Sequence, residues 1–345
     1  MFKRVSGSRP DRVAFLLLPN FSMAAFTATI EPMRLANYST GETLYEWEIL
    51  SRDGQPVAAS NGCRVMADRG IAEVPHLDNV VVCSGIGGHL INDNVIFGWL
   101  RRWAREGAHV GAVCTGAHVL AHAGLLNGYR CTVHWENLES FREQFPDLDV
   151  RPELFEIDRD RFTCAGGFAA SDMVLTEIAR RHGGDVAARV SEQFMHERIR
   201  EGHDNQRLPL QARLRISHPK LIQAIAEMER NVEDALTREE IAERVGLSRR
   251  QLERLFRRYL GTSPARYYLR LRLERARLLL SQTTMPVTEI AFACGFTSAS
   301  HFSKCYRDMF GRTPRDERRG GKGGEDGDFD DEFEDDEPFE FGSPS

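Results

Sequence analysis

The side chains best suited to chemistry fall in two stretches far apart in the chain. In the first, residues 110–135 (VGAVCTGAHVLAHAGLLNGYRCTVHW), an apolar run ends on Cys114, and Thr115-Gly116 then opens a helical pattern. A strand that turns sharply into a helix presents the turn's side chain at the carboxyl edge of a sheet, where α/β proteins hold ligands. A thiol there is a candidate nucleophile, because a helix N-terminus favours the thiolate and offers backbone N–H groups to an anion. Nucleophilic catalysis also needs a base within hydrogen-bonding reach. The residue after the cysteine is Thr115, not a histidine, while His118 and His122 lie along the helix as structural or solvent-facing groups. The set suits ligand binding better than turnover, and no residue is assigned a catalytic role. A second glycine-rich loop, Gly85-Ile86-Gly87-Gly88, follows another apolar run and can approach the same edge. It lacks the spacing of a dinucleotide fingerprint, so no cofactor is expected.

The second stretch is basic. Residues 237–260 read TREEIAERVGLSRRQLERLFRRYL. Thr237 followed by Glu240 is a capping-box pattern, Gly246 supplies a turn, and Ser248 caps a further helix over 249–260. Two short helices joined by a tight glycine-containing turn form a helix-turn-helix. Leu252, Leu255 and Phe256 fall on one face of the second helix, and Arg250, Glu253, Arg254 and Arg257 on another. An apolar back with long polar side chains opposite is what a helix laid in the major groove requires. Glu253 can accept from cytosine N4 or pair with Arg257 within the helix. The design recurs over 287–310, with a turn at Gly295 and a cap at Ser298. There Phe302, Tyr306 and Phe310 face inward, and Ser300, His301, Ser303, Lys304 and Arg307 are left for DNA. The two units repeat at an offset of 49 residues up to the glycines and 50 after them. A solvated basic face would explain one such helix; two matched units point to nucleic acid.

The elements that must position these residues differ between the halves. Apolar runs at 13–18, 47–51, 80–84 and 110–114 alternate with helical patterns at 23–37, 94–106 and 116–123. Short strands near 154–157 and 162–164 follow, then helices at 171–182 and 186–200. Continuous apolar strands between helices imply a parallel sheet covered on both faces, an α/β sandwich. Residues 201–209 (EGHDNQRLP) are polar and open a linker running to about 218. Beyond it the pattern is entirely helical, with a long helix over 264–282 joining the two units. Residues 320–345 are low-complexity and acidic, and are read as disordered.

Charge follows the same division. The net charge of -6 over 345 residues hides 22 Lys+Arg against 13 Asp+Glu over 213–319, and one lysine against 11 acids over 320–345. An acidic body, a basic module and an acidic tail again suggest nucleic acid. With 41% hydrophobic residues the chain can bury two cores. No apolar run approaches the roughly 20 residues that span a bilayer. The first dozen residues have no signal-peptide pattern. Seven cysteines at irregular spacing suggest reduced thiols, with no disulfide frame and no metal-ligand spacing. The expected location is the cytoplasm.

The segments GLSRRQLERLF, GTSPARYYLRLRLERARLLL, VTEIAFACGF and SHFSKCYRDMFGRTP closely resemble the AraC/XylS family of bacterial transcription regulators over about 217–315. The resemblance implies two recognition helices entering successive major grooves about 34 Å apart on one DNA face. It implies contacts from Ser248, Arg249, Arg250, Gln251, Glu253 and Arg254, and from Ser298, Ser300, His301, Ser303, Lys304 and Arg307. Of these, Arg250, Glu253, Arg254, Ser300, Ser303 and Lys304 are the implied base readers.

Residues 12–201 resemble the PfpI, class I glutamine amidotransferase-like fold, a flavodoxin-like sandwich, in the form fused to AraC-type modules in GlxA-type regulators. On that resemblance Glu31, in IEPMRLAN, matches the acid that faces the elbow cysteine. The segments FEIDRDRFT (155–163) and HERIREGHDNQ (196–206) look like the glycine betaine and carnitine regulators of this group. A quaternary ammonium ligand wants an aromatic partner, which Trp135 beside His134 could supply. Glu31, Gly85, Gly87, Cys114, Thr115, His134 and Trp135 form the implied effector site. The expected organisation is a sensing and dimerisation domain at 12–201, a linker at 202–218, a DNA-binding domain at 219–319 and the tail. The expected function is a transcriptional regulator, more readily an activator, that binds promoter DNA, a small effector and RNA polymerase as a homodimer. Two rivals stay open. One is a Cys-dependent hydratase or amidase-like enzyme with an accessory DNA-binding module; the other is an architectural DNA-binding protein with an inert α/β domain.

Overall fold

A computed structural model describes residues 1–2 and 9–320; the acidic stretch beyond Gly320 lies outside the described residues. Seven strands form the main sheet: β1 (Asp11–Leu17), β2 (Tyr45–Ser51), β3 (Arg69–Gly70), β4 (Asn79–Cys83), β5 (His109–Val113), β6 (Phe155–Asp158) and β7 (Arg161–Cys164). Their order is β6-β7-β5-β4-β1-β2-β3, parallel throughout except for the β6–β7 hairpin. The expected sandwich is thus present, with a two-residue edge strand, β3, that carries no apolar run to betray it.

Alternation along the central strands explains the two-sided core. Val13, Phe15 and Leu17 of β1, with Val81 and Cys83 of β4, face a layer made by α1 (Met23–Thr40), α5 (Ala169–His182) and α6 (Gly184–Gln193). Ala14 and Leu16, with Val80 and Val82, face the opposite layer of α2 (Asn94–Arg105), α3 (Gly116–His122) and α4 (Leu138–Gln144). Side chains at successive strand positions point to opposite faces, so a strand buried on both sides must be apolar at every position.

The helix expected over 186–200 stops earlier, at Gln193. Met195 takes a positive φ of 51°, and the chain turns back over the sheet. The buried carboxylate of Asp172 provides the reason: it accepts from His196 at 2.7 Å, from the Arg200 backbone at 2.9 Å and from Arg200 Nε at 2.8 Å. A buried charge must be paired, and this one captures residues that would otherwise extend α6. Residues 202–206 remain stitched to the α/β domain. Leu154 N–H donates to Gly202 O at 2.7 Å, and Gln206 Nε2 donates to Thr132 Oγ1, Val133 O and Glu153 O at 2.8–3.0 Å.

The C-terminal half is all helical among the described residues. A first core gathers α7 (Leu210–Leu214), α8 (Pro219–Arg230), α9 (Arg238–Arg244) and α10 (Arg249–Leu260). A second gathers α12 (Val287–Ala293) and α13 (Ala299–Phe310), with α14 (Pro314–Gly320) closing it. The helix α11 (Pro264–Gln282) serves both: Tyr268 packs in the first core, and Leu273, Ala276, Leu279 and Leu280 in the second.

Within the sheet, β5 passes so close to β7 that a Cβ added at Gly111 would lie 2.1 Å from the Phe162 ring. Gly111→Ala is expected to lower stability by about 1–3 kcal/mol, as overpacking does in a tight core. Thermal or urea unfolding of the variant checks this, and a partial recovery on adding Phe162→Leu would assign the loss to that contact.

Candidate nucleic-acid interface and elbow site

The two helix-turn-helix units are built alike, down to their caps. Ser248 Oγ accepts from Gln251 N–H at 3.3 Å, and Gln251 Oε1 accepts from Ser248 N–H at 2.8 Å, a complete capping box. Ser298 Oγ accepts from His301 N–H at 3.4 Å. Gly261 and Gly311 close the two recognition helices in the left-handed conformation, at φ 65° and 69°. Their N–H groups donate to Arg257 O and Arg307 O.

These caps aim one face of each helix at solvent. Leu252 and Phe256 of α10, and Phe302, Cys305 and Tyr306 of α13, are buried behind it. Arg250, Arg254 and Arg257 stand one helical turn apart on the exposed face, as do Ser300, Lys304 and Arg307 on the other helix. The four long cationic groups other than Arg250, and Arg250 itself, have no acidic partner among the described residues. Shallow concavities lined by Arg249, Arg250, Gln251, Arg254 and Arg257 flank α10. The remaining residues assigned to this surface are engaged locally. Arg249 pairs with Glu239 at 3.0 Å, and Glu253 faces Arg238 at 3.7 Å instead of Arg257. Ser303 Oγ donates to Ala299 O at 2.8 Å, and the His301 ring lies 3.3 Å from Cys305 Sγ. Arg257, left out of the residues implied by resemblance, stands on the same face as Arg250 and Arg254.

The elbow forms as the sequence suggests, with one difference in chemistry. Cys114 sits at φ 58°, and Thr115 begins α3. Thr115 Oγ1 donates to Gly85 O at 2.6 Å, bringing the 85–88 loop to the elbow. A Cβ at Gly88 would lie 2.3 Å from Thr115 Oγ1, and one at Gly166 would lie 2.8 Å from Cys114 Cβ. Gly87, at φ 76°, turns the loop into the short helical turn Gly88–Leu90. The expected activation of the thiol does not occur. Burial pushes the Cys114 thiol up to about 11, outweighing the hydrogen bond from Thr115, and the charge of Glu136 adds to the rise. His118 is fully buried against Phe141, and burial pushes its imidazole down to about 3.

Glu31 is not brought to the elbow. It lies nine residues past the Ser22 cap of α1, about 13 Å along the helix axis. Its carboxylate, 37% exposed, accepts from Arg34 at 2.7 Å. The part of α1 that does lie by the glycine loop is its start, where Ser22 N–H donates to Ser84 O and the following buried residues are Ala25 and Phe26. The short turn Trp135–Asn137 carries Glu136, whose charge is the weakest of the influences on the Cys114 thiol. Burial also lowers the His134 pKa, which Glu136 opposes. The Trp135 ring, 37% exposed, carries the Arg207 guanidinium 4.5 Å above it. Sequence spacing gave no signal for that pairing across 71 intervening positions.

The DJ-1/PfpI family matches residues 11–151, and a helix-turn-helix domain matches residues 241–320. Over 313 residues the chain is 49% identical to the HTH-type transcriptional regulator GbdR of Pseudomonas aeruginosa, covering 90% of this chain and 85% of that one. It is 46% identical to the HTH-type transcriptional regulator CdhR of the same species, covering 88% and 90%. With the HTH-type transcriptional regulator GlxA of Rhizobium meliloti it shares 37% identity, covering 90% and 96%. The chain belongs to the AraC-type transcriptional regulators that carry a DJ-1/PfpI domain. The regulator thus joins a DNA-binding helix-turn-helix domain to a PfpI ligand-binding domain. All three of these relatives are named as transcriptional regulators. No helix among its described residues is long and apolar enough to cross a membrane.

Two measurements follow from this geometry. Arg254→Ala should weaken binding to a preferred duplex by about 1–3 kcal/mol and relax the sequence preference at one position, as loss of a base contact does. A uniform loss across all sequences in a competition assay would instead make Arg254 a phosphate contact. With iodoacetamide at pH 8, exposed Cys63 should be alkylated well before Cys114, whose thiol stays protonated. Peptide mass spectrometry against time checks the order.

Proposed function

We propose that the regulator binds a small methylated ammonium compound with a carboxylate, of the glycine betaine, dimethylglycine or carnitine type, at the elbow edge of its α/β domain. Binding changes how its two helix-turn-helix units meet DNA. The observation that carries the ligand chemistry is Trp135, an indole that already accepts a guanidinium on its face. A ring able to hold one organic cation in partial contact with water can hold another. The likeness of residues 155–163 and 196–206 to betaine and carnitine regulators supports the same class.

The elbow supplies the surroundings. Thr115 ties Gly85, and with it the loop that carries Gly87, to Cys114, and in this reading His134 and Trp135 complete the site. A protonated, buried thiol in such a place is a packing surface for a ligand, not a nucleophile. The exposed apolar side chains of Ile86 and Phe168 flank the loops that meet there. A ligand shifts DNA binding only through unequal affinity for two arrangements. In the same reading the α/β domains of two copies pair, and the DNA-bound dimer activates transcription through RNA polymerase.

Thermal unfolding against glycine betaine, dimethylglycine, carnitine, choline and several amino acids tests the assignment. A ligand at 100 times its dissociation constant stabilises by about 2.7 kcal/mol. The melting temperature should rise with the methylated ammonium compounds that carry a carboxylate, and Trp135→Ala should abolish most of that rise. A flat response across the panel rejects this ligand class.

A further inference from the structure

The α/β domain and the DNA-binding domain touch at the far end of α11. His89 Nε2 donates to Ser281 O at 3.1 Å, Ser140 Oγ donates to Gln282 Oε1 at 2.7 Å, and Glu139 pairs with Arg275 at 3.2 Å. These three partners on α11 occupy its last two turns. The contact reaches the second helix-turn-helix unit only through α11, whose C-terminal half is built into that unit's core.

We propose that the turn Gly88–Leu90 and the first turn of α4 form a docking surface for the C-terminal half of α11, and that this surface fixes the orientation of the recognition helices. Three features carry the inference. The first is that the end of α11 cannot move without the second unit. Leu273, Ala276, Leu279 and Leu280 are in its core, and Arg272 Nε and its terminal nitrogen donate to Cys294 O and Gly295 O at 2.8 and 2.6 Å. Gly295 is itself wedged in place, since a Cβ there would lie 2.5 Å from Val232 O. The second is that the contact covers none of the exposed reading faces: Arg250, Arg254, Arg257, Ser300, Lys304 and Arg307 take no part in it. It orients the domain without blocking DNA, so its loss weakens binding by removing preorganisation.

The third feature is the origin of the docking residues. His89 is carried by the loop whose Gly88 is packed against Thr115, and Glu139 and Ser140 follow directly on the His134–Asn137 segment. The first half of the surface is thus packed on the elbow, and the second continues in the chain from two residues assigned to the effector site, His134 and Trp135. Resting on the effector site proposed above, this makes the docking surface the route by which an occupied elbow acts on DNA.

The test is a charge-reversal cycle in the full chain: Glu139→Arg, Arg275→Glu and the two together. Affinity is measured, with no small molecule added, for a duplex selected by the wild-type chain from a random-sequence pool. Trypsin cleavage after Arg207, Arg213 and Arg215 reports separation of the domains. Glu139→Arg should bind about fivefold more weakly and be cleaved faster, although it lies far from the reading faces. The double reversal should restore most of both. Wild-type affinity and wild-type cleavage in Glu139→Arg would overturn the proposal, as would tighter binding, which would make the contact an occluding one. A defect that the double reversal fails to repair would also overturn it. A flat thermal response to the ligand panel, together with a repaired Glu139→Arg defect, would remove the effector reading and leave the docking surface standing.

Discussion

At Cys114 a non-glycine backbone is held at positive φ, and the N-terminal half of the protein is arranged around that strained turn. A left-handed conformation at such a residue persists only where its surroundings over-determine it. Here they do. Cys114 N–H donates to Cys164 O at 2.9 Å, the side chain of Thr115 holds the 85–88 loop, and Gly88 and Gly166 come so near that a methyl group at either would collide. Gly116 lets the new helix begin against β4, where a Cβ would lie 2.5 Å from Val82 O. Each loop is located by the elbow and, in turn, keeps it bent.

The same closeness decides what the elbow can do. Loops packed this tightly exclude water, and exclusion of water disfavours a thiolate. Geometry that would support a nucleophile therefore ends as an uncharged lining. His118 tells the same story: fully buried against Phe141, its imidazole is held neutral and fills space between α3 and α4. Chemistry in the DNA-binding half depends on the opposite choice, with cations left hydrated and unpaired on helices whose apolar backs fix their direction.

Much of this was legible in the sequence, and the failures have physical causes. The strands near 13–18, 80–84 and 110–114 were readable because double-sided burial demands unbroken apolar runs, and both helix-turn-helix units because their caps and turns recur at a fixed offset. The edge strand Arg69–Gly70 offers two residues and no pattern. Residues 194–200 keep a helical pattern, but a buried aspartate distant in the chain outcompetes it. The thiol's protonation depends on burial, which spacing does not report. Glu31 has the right residue type in a matching motif, yet the pitch of α1 carries it too far from the elbow. Arg207 over Trp135 is invisible to any local rule, since only the return path of residues 196–207 brings the two together.

The helix α11 also acts as a ruler. Its 19 residues rise about 28 Å, close to one turn of duplex DNA, and it is rooted in both helical cores. Each residue added to its middle would advance the second unit by about 1.5 Å and swing it through about 100°. The separation of the two helix-turn-helix units is therefore written into the length of a helix that belongs to neither of them, so a change of residue on either exposed face leaves that spacing untouched, whereas a single insertion in α11 alters it.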